Sequence, residues 1–159
     1  MLFGHEEKEL LTVCRTDVSH PLASYSLHAF ELDGFTWPSV EHYYNAMRYG
    51  DPAYVEKIRQ SAHPKDAAKL GKSWWHKKRK DWNQVKVTVM TRATYIKCRS
   101  YPEIAQLLLD SGDIDISEVS QYDYFWGIGR DLRGENAYGK MLMDIRHKLR
   151  EESASESPA

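Results

Sequence analysis

The sequence predicts a helix-rich α+β fold: a single domain with a small β portion. Three observations carry this expectation. Helix-start signals and helical apolar spacing recur along most of the chain, an Asp-Gly pair separates two short aromatic runs, and no strand–helix–strand alternation is present. At 159 residues, 42% of them apolar, the chain can bury one core.

"ELLTVC", residues 9–14, is a short apolar run that tolerates extended backbone, a weak strand signal. In "FELDGFTW", Asp33 and Gly34 lie between Phe30–Leu32 and Phe35–Trp37, which predicts a two-residue hairpin turn with φ > 0 at both central positions. Pro38 ends the second strand, and residues 39–49 read as a helix. Asp51-Pro52 supplies a cap and a preset first helical residue for "AYVEKIRQSA", and His63-Pro64 opens a helix that Gly71 closes. Asp81 is placed to cap a long helix whose apolar positions Trp82, Val85, Val89, Ala93 and Ile96 recur every three or four residues. Pro102 opens another helix, closed by Gly112. "DIDISEV" alternates as a short strand, and Tyr138, Met141, Leu142, Ile145 and Leu149 form one stripe of a last helix over about Asn136 to Arg150. The domain is therefore expected over residues 1–150. The tail 151–159 carries no apolar residue beyond alanine and is expected to be disordered.

Composition narrows the function. The net charge of −1 excludes a polycation, so contact with nucleic acid would need a local patch. Cys14 and Cys98 are far apart and form no CxxC pair, as in a reduced intracellular protein. No apolar run reaches membrane-spanning length and the first residues lack a signal-peptide core, so a cytoplasmic protein without membrane association is expected. There is no GxGxxG, no GxxxxGK[ST], no HExxH and no GxSxG. Neither a metal nor a cofactor is expected.

Three segments concentrate chemistry. In "TWPSVEHYYNAMRY", Glu41, Tyr44, Asn45 and Arg48 share one helix face. Glu41 there has two readings: a first-turn carboxylate complementing the helix dipole, worth roughly 0.3–1 kcal/mol, or a functional carboxylate among Trp37, Val40 and Tyr44, surroundings able to raise its pKa. "SWWHKKRKDW" interleaves Lys77, Lys78, Arg79 and Lys80 with aromatic residues, as phosphate and base recognition requires, or forms a solvated loop anchored by two tryptophans. "YDYFWGIGRDLRGENAYGKML" sets Gly127, Gly129, Gly134 and Gly139 among Asp123, Trp126 and Asn136. Glycines allow close backbone approach to a ligand, and Asn136 can cap a helix whose N-terminal N–H groups suit a phosphate.

"DGFTWPSVEHYYNAMRY", "KRKDWNQVKVTVM" and "DYFWGIG…RGENAYGKMLMDIRHKL" together resemble the NADAR, or YbiA-like, family, whose pattern runs WPSxEHYYQAxKF, RxDWxxVKxxVM and DxYWGxG…GxNxLGxxLMxIR. The resemblance spans about residues 20–150. It implies a YbiA-like fold and a metal-independent N-glycosidase that hydrolyses a ribosyl C1–N bond. Two substrate classes follow from the family: phosphoribosylated pyrimidine intermediates of riboflavin synthesis, and ADP-ribosylated guanine, alone or in DNA. A non-catalytic ADP-ribose or nucleotide sensor is the alternative of another class.

Matched position by position, the resemblance assigns Glu41 as the carboxylate beside C1 or the attacking water, with Asp123 and Trp126 completing the catalytic set. Tyr44 and Trp126 would stack on base or sugar. Arg79, with Lys69 or Lys72, would grip phosphate, and Asp81, Trp82, Gly127, Gly129 and Asn136 would line the substrate. Ser24 stands where the family has Asn, Phe125 where it has Tyr, and Tyr138 where it has Leu. The sequence leaves the oligomeric state open.

Overall fold

The Asp33-Gly34 turn sets the local geometry of the first β element. In the computed structural model, which describes residues 9–156, Asp33 and Gly34 have φ of 55° and 82°, the type I′ conformation that matches strand twist. They join antiparallel β2 (Phe30–Leu32) and β3 (Phe35–Trp37); β1 (Leu10–Val13) precedes them. The turn is held from outside: Asp33 accepts from the Tyr43 hydroxyl at 2.8 Å and pairs with Arg92 at 2.8 Å. Trp37 is buried, donating its indole N–H to the Leu32 carbonyl at 2.9 Å and meeting Tyr43 edge-on.

Residues 14–106 form one compact unit. Its centre is α1 (Val40–Ala46), all seven residues of which are buried. Ser39 caps it from extended backbone, accepting from the His42 amide. A buried helix with Glu, His and Asn in it must partner every polar group. His42 does so through Ser39 at 2.7 Å and the Ser61 carbonyl at 3.0 Å, with burial pushing its pKa below the usual histidine range. Around α1 pack α2 (Pro52–Arg59), α3 (Pro64–Leu70) and α4 (Trp82–Ser100). Asp51 caps α2 as its sequence predicts. Gly71 ends α3 in ordinary right-handed conformation (φ −65°), so glycine is required there by space: a Cβ would come within 2.0 Å of Asn45 Oδ1. In α4 the buried Lys97 donates to the Ala23 carbonyl at 3.0 Å and to Ser26, fixing the loop that carries Ser24.

Among the described residues the other unit comprises residues 9–13 and 107–156; α5 (Pro102–Asp110) runs across the division in sequence. Here β1 pairs in parallel with β4 (Asp115–Glu118), Leu10 opposite Asp115 and Val13 opposite Glu118, and α6 (Ala137–Glu156) packs on β4. The helix corrects one expectation. Residues 151–156 continue α6 instead of forming a disordered tail; glutamates and alanine favour helix without needing a buried face, and Glu151 pairs with His147 one turn earlier at 3.2 Å. Among the described residues no helix is long and apolar enough to cross a membrane.

Candidate active site

Glu41 is 2% exposed, so its carboxylate does more than complement the helix dipole from the surface. A carboxylate serving only the helix dipole would keep its water. This one is desolvated and surrounded by donors. Ser24 Oγ donates to Oε2 at 2.8 Å, Asn45 Nδ2 to Oε1 at 3.1 Å, and Arg15 Nη2 to Oε1 at 3.2 Å. The same Arg15 nitrogen lies 3.5 Å from Oε2. An ionised carboxylate offers about four acceptor directions, and these donors engage both of its oxygens. Ser24, completely buried, thus supplies a hydrogen bond from the position where the family has Asn. Asn45, one helical turn beyond Glu41, also donates to the Glu41 carbonyl at 2.8 Å.

Behind the carboxylate, Arg48 lies 5.0 Å from the Tyr44 ring centre and 5.3 Å from that of Trp82, while Arg15 approaches Tyr44 at 5.9 Å. Tyr44 and Trp82 are 5.0 Å apart. Tyr44 is therefore buried and engaged by Trp82, Arg48 and Arg15 rather than presented for stacking on a ligand. Glu41 and Asn45 thus meet along one face of α1, whereas the helix expected over residues 39–49 stops at Ala46 and Arg48 reaches Tyr44 from the turn beyond it.

Tyr25 links this cluster to open space. Burial, and then the Glu41 charge, push its hydroxyl up to about 12, so it remains a proton-bearing donor. It lines a cleft of about 640 Å³ together with Thr16, Lys65, Asp66, Lys69 and Lys72 among others, a net excess of cations. Lys69 and Lys72, each expected to join Arg79, lie here together with Lys65 and without Arg79. Three ammonium groups on one wall suit a phosphate or diphosphate. A second cleft, of about 460 Å³, shares Lys69 and is otherwise lined by Tyr54, Lys57, Ser73 and His76 among others.

Arg79 and Asp81 engage each other. Arg79 Nε and Nη2 donate to the two Asp81 oxygens at 2.6 and 3.0 Å. Asp81 occupies the N-cap position of α4 but makes no side-chain capping bond, because its carboxylate serves Arg79. Neither residue lines the lysine-walled cleft.

The third motif organises the other unit. Asp123 Oδ1 accepts from the Phe125 and Trp126 amides at 3.1 and 2.8 Å, closing a turn. Trp126 is 5% exposed, with edge contacts to Phe125 and Tyr138. A Cβ at Gly127 would meet the carbonyls of Asp123, Ser120 and Glu118 within 3.3 Å, and one at Gly129 (φ +71°) would enter the Tyr124 ring. The glycines here accommodate the chain itself.

Asn136 corrects the capping expectation. With φ of 52°, it sends Nδ2 to the Ile116 carbonyl at 2.9 Å and accepts from the Glu118 amide at 2.8 Å, standing in for a strand beside β4. The phosphate expectation for the start of α6 is corrected too. The amides of Asn136, Ala137 and Tyr138 donate to the carbonyls of Gly127, Phe125 and Trp126.

Sequence reasoning missed Arg15, Tyr25, Lys65 and the fully buried Glu118, whose carboxylate takes both the amide and the hydroxyl of Ser120. A buried Glu41 demands a cation, but nothing local marks Arg15, 26 residues away, as its source. Among the described residues no group of three or more His, Cys, Asp or Glu side chains is placed to hold a metal ion.

The NADAR domain model matches residues 3–150. The chain is 34% identical over 127 residues to N-glycosidase YbiA of Escherichia coli, covering 80% of this chain and 79% of that protein. It is 32% identical over 159 residues to the chloroplastic riboflavin biosynthesis protein PYRR of Zea mays, covering 90% of this chain and 26% of that one. The NMR structure of E. coli YbiA superposes with a TM-score of 0.86 at 30% identity, over 95% of this chain and 90% of that one.

Proposed function

The chain belongs to the NADAR domain family and is a hydrolase of N-glycosyl compounds, and from that premise we propose that it cleaves the ribosyl C1–N bond of a phosphoribosylated pyrimidine, of the 5-amino-6-(5-phosphoribosylamino)uracil type. The observation that carries this reading is the buried, donor-held Glu41 carboxylate, whose electrostatic neighbour Tyr25 lines a cleft with Lys65, Asp66, Lys69 and Lys72. The name of the maize relative supports a substrate from riboflavin synthesis.

Cleavage passes through a transition state in which C1 and the ring oxygen share positive charge. Glu41 faces that charge and takes a proton from the attacking water; the water oxygen bonds to C1 as the C1–N bond breaks, and the departing nitrogen takes a proton. Ser24, Asn45 and Arg15 fix the carboxylate so that it need not reorient as charge develops. The lysines hold the phosphate. Asp123 and Trp126, the other residues matched to the family's catalytic positions, act here in holding the loop that precedes α6. The second reading, removal of ADP-ribose from guanine, is favoured by the cationic run Lys77–Lys80 beyond the cleft.

The experiment compares release of ribose 5-phosphate from the phosphoribosylaminouracil with release of ADP-ribose from an ADP-ribosylated guanine oligonucleotide. Faster turnover of the first supports the proposal. Turnover of the second alone replaces it with the second reading, and binding without turnover of either makes the protein a sensor.

A further inference from the structure

The turn between α3 and α4 is not anchored by its tryptophans. It is held by other groups. The Tyr49 hydroxyl donates to the Gly71 carbonyl at 2.7 Å, Ser73 Oγ bonds His76 Nδ1 at 2.8 Å, and the His76 ring stacks on Tyr54 at 3.5 Å. At its far end the Arg79 amide donates to the Arg48 carbonyl at 2.8 Å, and Lys78 bridges to Tyr49. The indoles of Trp74 and Trp75 contribute to none of this; Trp75 adds only its backbone amide, which donates to Ser73 Oγ at 3.3 Å. They stand 80% and 77% exposed, stacked on each other at 4.1 Å with 26° between their planes. The expectation of a loop anchored by two tryptophans is thus corrected. A firmly held turn displays a paired indole platform to solvent.

The surroundings are all cationic. From Ala67 to Lys80 there is no acidic residue, and Lys72, Lys77, Lys78, Arg79 and Lys80 are exposed. Asp81 neutralises Arg79. In a chain of net charge −1 this is a local island of positive potential. Neither lysine-bearing cleft includes either tryptophan, so the platform faces open surface and suits an extended polymer better than an enclosed small molecule. Open π-faces beside lysines match unpaired bases on a phosphodiester backbone. A duplex hides its base faces inside the stack. A membrane surface would draw on further large apolar side chains, and residues 71–80 contain none besides the two indoles.

We propose that Trp74 and Trp75, rimmed by Lys77, Lys78 and Lys80, form a docking surface for single-stranded nucleic acid. The inference does not rest on hydrolysis of the free N-riboside, since none of these residues lines the cleft beside Tyr25; under the second reading the same surface would hold the strand that carries the modified guanine.

The test measures fluorescence anisotropy of a labelled single-stranded oligonucleotide of about 12 nucleotides with the full chain, alongside the matched duplex and anionic phosphatidylserine vesicles. Single-strand binding is expected to exceed duplex binding and to quench tryptophan emission. Trp74→Ala/Trp75→Ala is expected to weaken it on the order of tenfold or more. Lys77→Ala/Lys78→Ala/Lys80→Ala is expected to flatten its salt dependence between about 50 and 200 mM. Both variants are expected to hydrolyse the free N-riboside at the wild-type rate, a control for folding. The proposal is overturned if the wild type does not bind the single strand at low salt, if the double tryptophan variant binds as well as wild type, or if only vesicles bind.

Discussion

Gly71→Ala probes the packing that holds the Glu41 carboxylate without touching it. Gly71 has helical φ and ψ, so backbone freedom alone predicts that alanine would stabilise the protein by about 0.4–1 kcal/mol. Space predicts the opposite. The new Cβ would lie 2.0, 2.6 and 2.8 Å from Asn45 Oδ1, Cγ and Cβ, and Asn45 is fixed inside α1 by its bonds to Glu41. Overpacking of this kind costs about 1–3 kcal/mol, and displacing the Asn45 amide adds about 0.5–1.5 kcal/mol for lost hydrogen bonding. The steric effect wins, with a net loss of about 1–3 kcal/mol and a fall in Tm of about 3–10 °C. Because Asn45 Nδ2 holds Oε1 of Glu41, kcat is also expected to fall several-fold while the chain remains folded. Denaturant unfolding and hydrolysis kinetics on the same sample give both quantities. In an Asn45→Ala background the two nearest of the three clashing atoms are gone, so the Gly71→Ala penalty should shrink there. A Gly71→Ala protein as stable as wild type, or a penalty unchanged by Asn45→Ala, refutes the reasoning.

Asn136→Ala should cost about 2–4 kcal/mol, from two lost hydrogen bonds to β4 and a left-handed φ that alanine resists; a loss below about 0.5 kcal/mol on denaturant unfolding would remove its strand-like role. Lys97 makes stability rise with pH. Burial lowers its pKa to about 8 in the folded chain, so above pH 8 the unfolded chain binds more protons and stability climbs by about 1 kcal/mol from pH 8 to 9. Cys98, raised by burial to about 11, offsets part of that rise within the same window, because an unfolded thiol already loses its proton at about pH 8.5. Above about pH 10 Tyr25 and Tyr43, each raised to about 12, oppose it further. Unfolding curves at pH 8 and 9 should show the gain in wild type and lose it in Lys97→Met; an equal gain in both assigns it elsewhere. His42 acts on the acid side: burial lowers its pKa, so stability should fall as pH drops below about 6.5, and His42→Gln should lessen that fall.

Much of this fold is legible because its signals are local. Asp33-Gly34 can hardly form anything but its turn, and Asp51, Pro52 and Pro64 each mark a helix start through their own local chemistry. The helical period likewise places Glu41 with Asn45. What escapes the sequence is long-range or two-sided. Because α1 is buried all round, it has no polar face to announce which of Glu41, His42 and Asn45 face inward. Arg15 reaches Glu41 across 26 positions, and Asn136 reaches β4 across 18 and 20. Asp81 reads as a cap because its position is right, yet Arg79, two residues away, takes the carboxylate. The end of α6 is missed for another reason: a helix made by propensity and one surface ion pair leaves no apolar stripe to follow.

The most direct test of the account is Glu41→Gln, which keeps the side chain's size and removes its charge. The amide would oppose Arg15 with no counter-charge, and breaking a buried pair costs about 3–5 kcal/mol, so kcat is measured at a temperature where circular dichroism shows the variant folded. With the phosphoribosylated substrate the account predicts a fall of about 100-fold or more in kcat with KM little changed, since the lysines that hold the phosphate are untouched. A folded Glu41→Gln protein that turns over within a few-fold of wild type would contradict it.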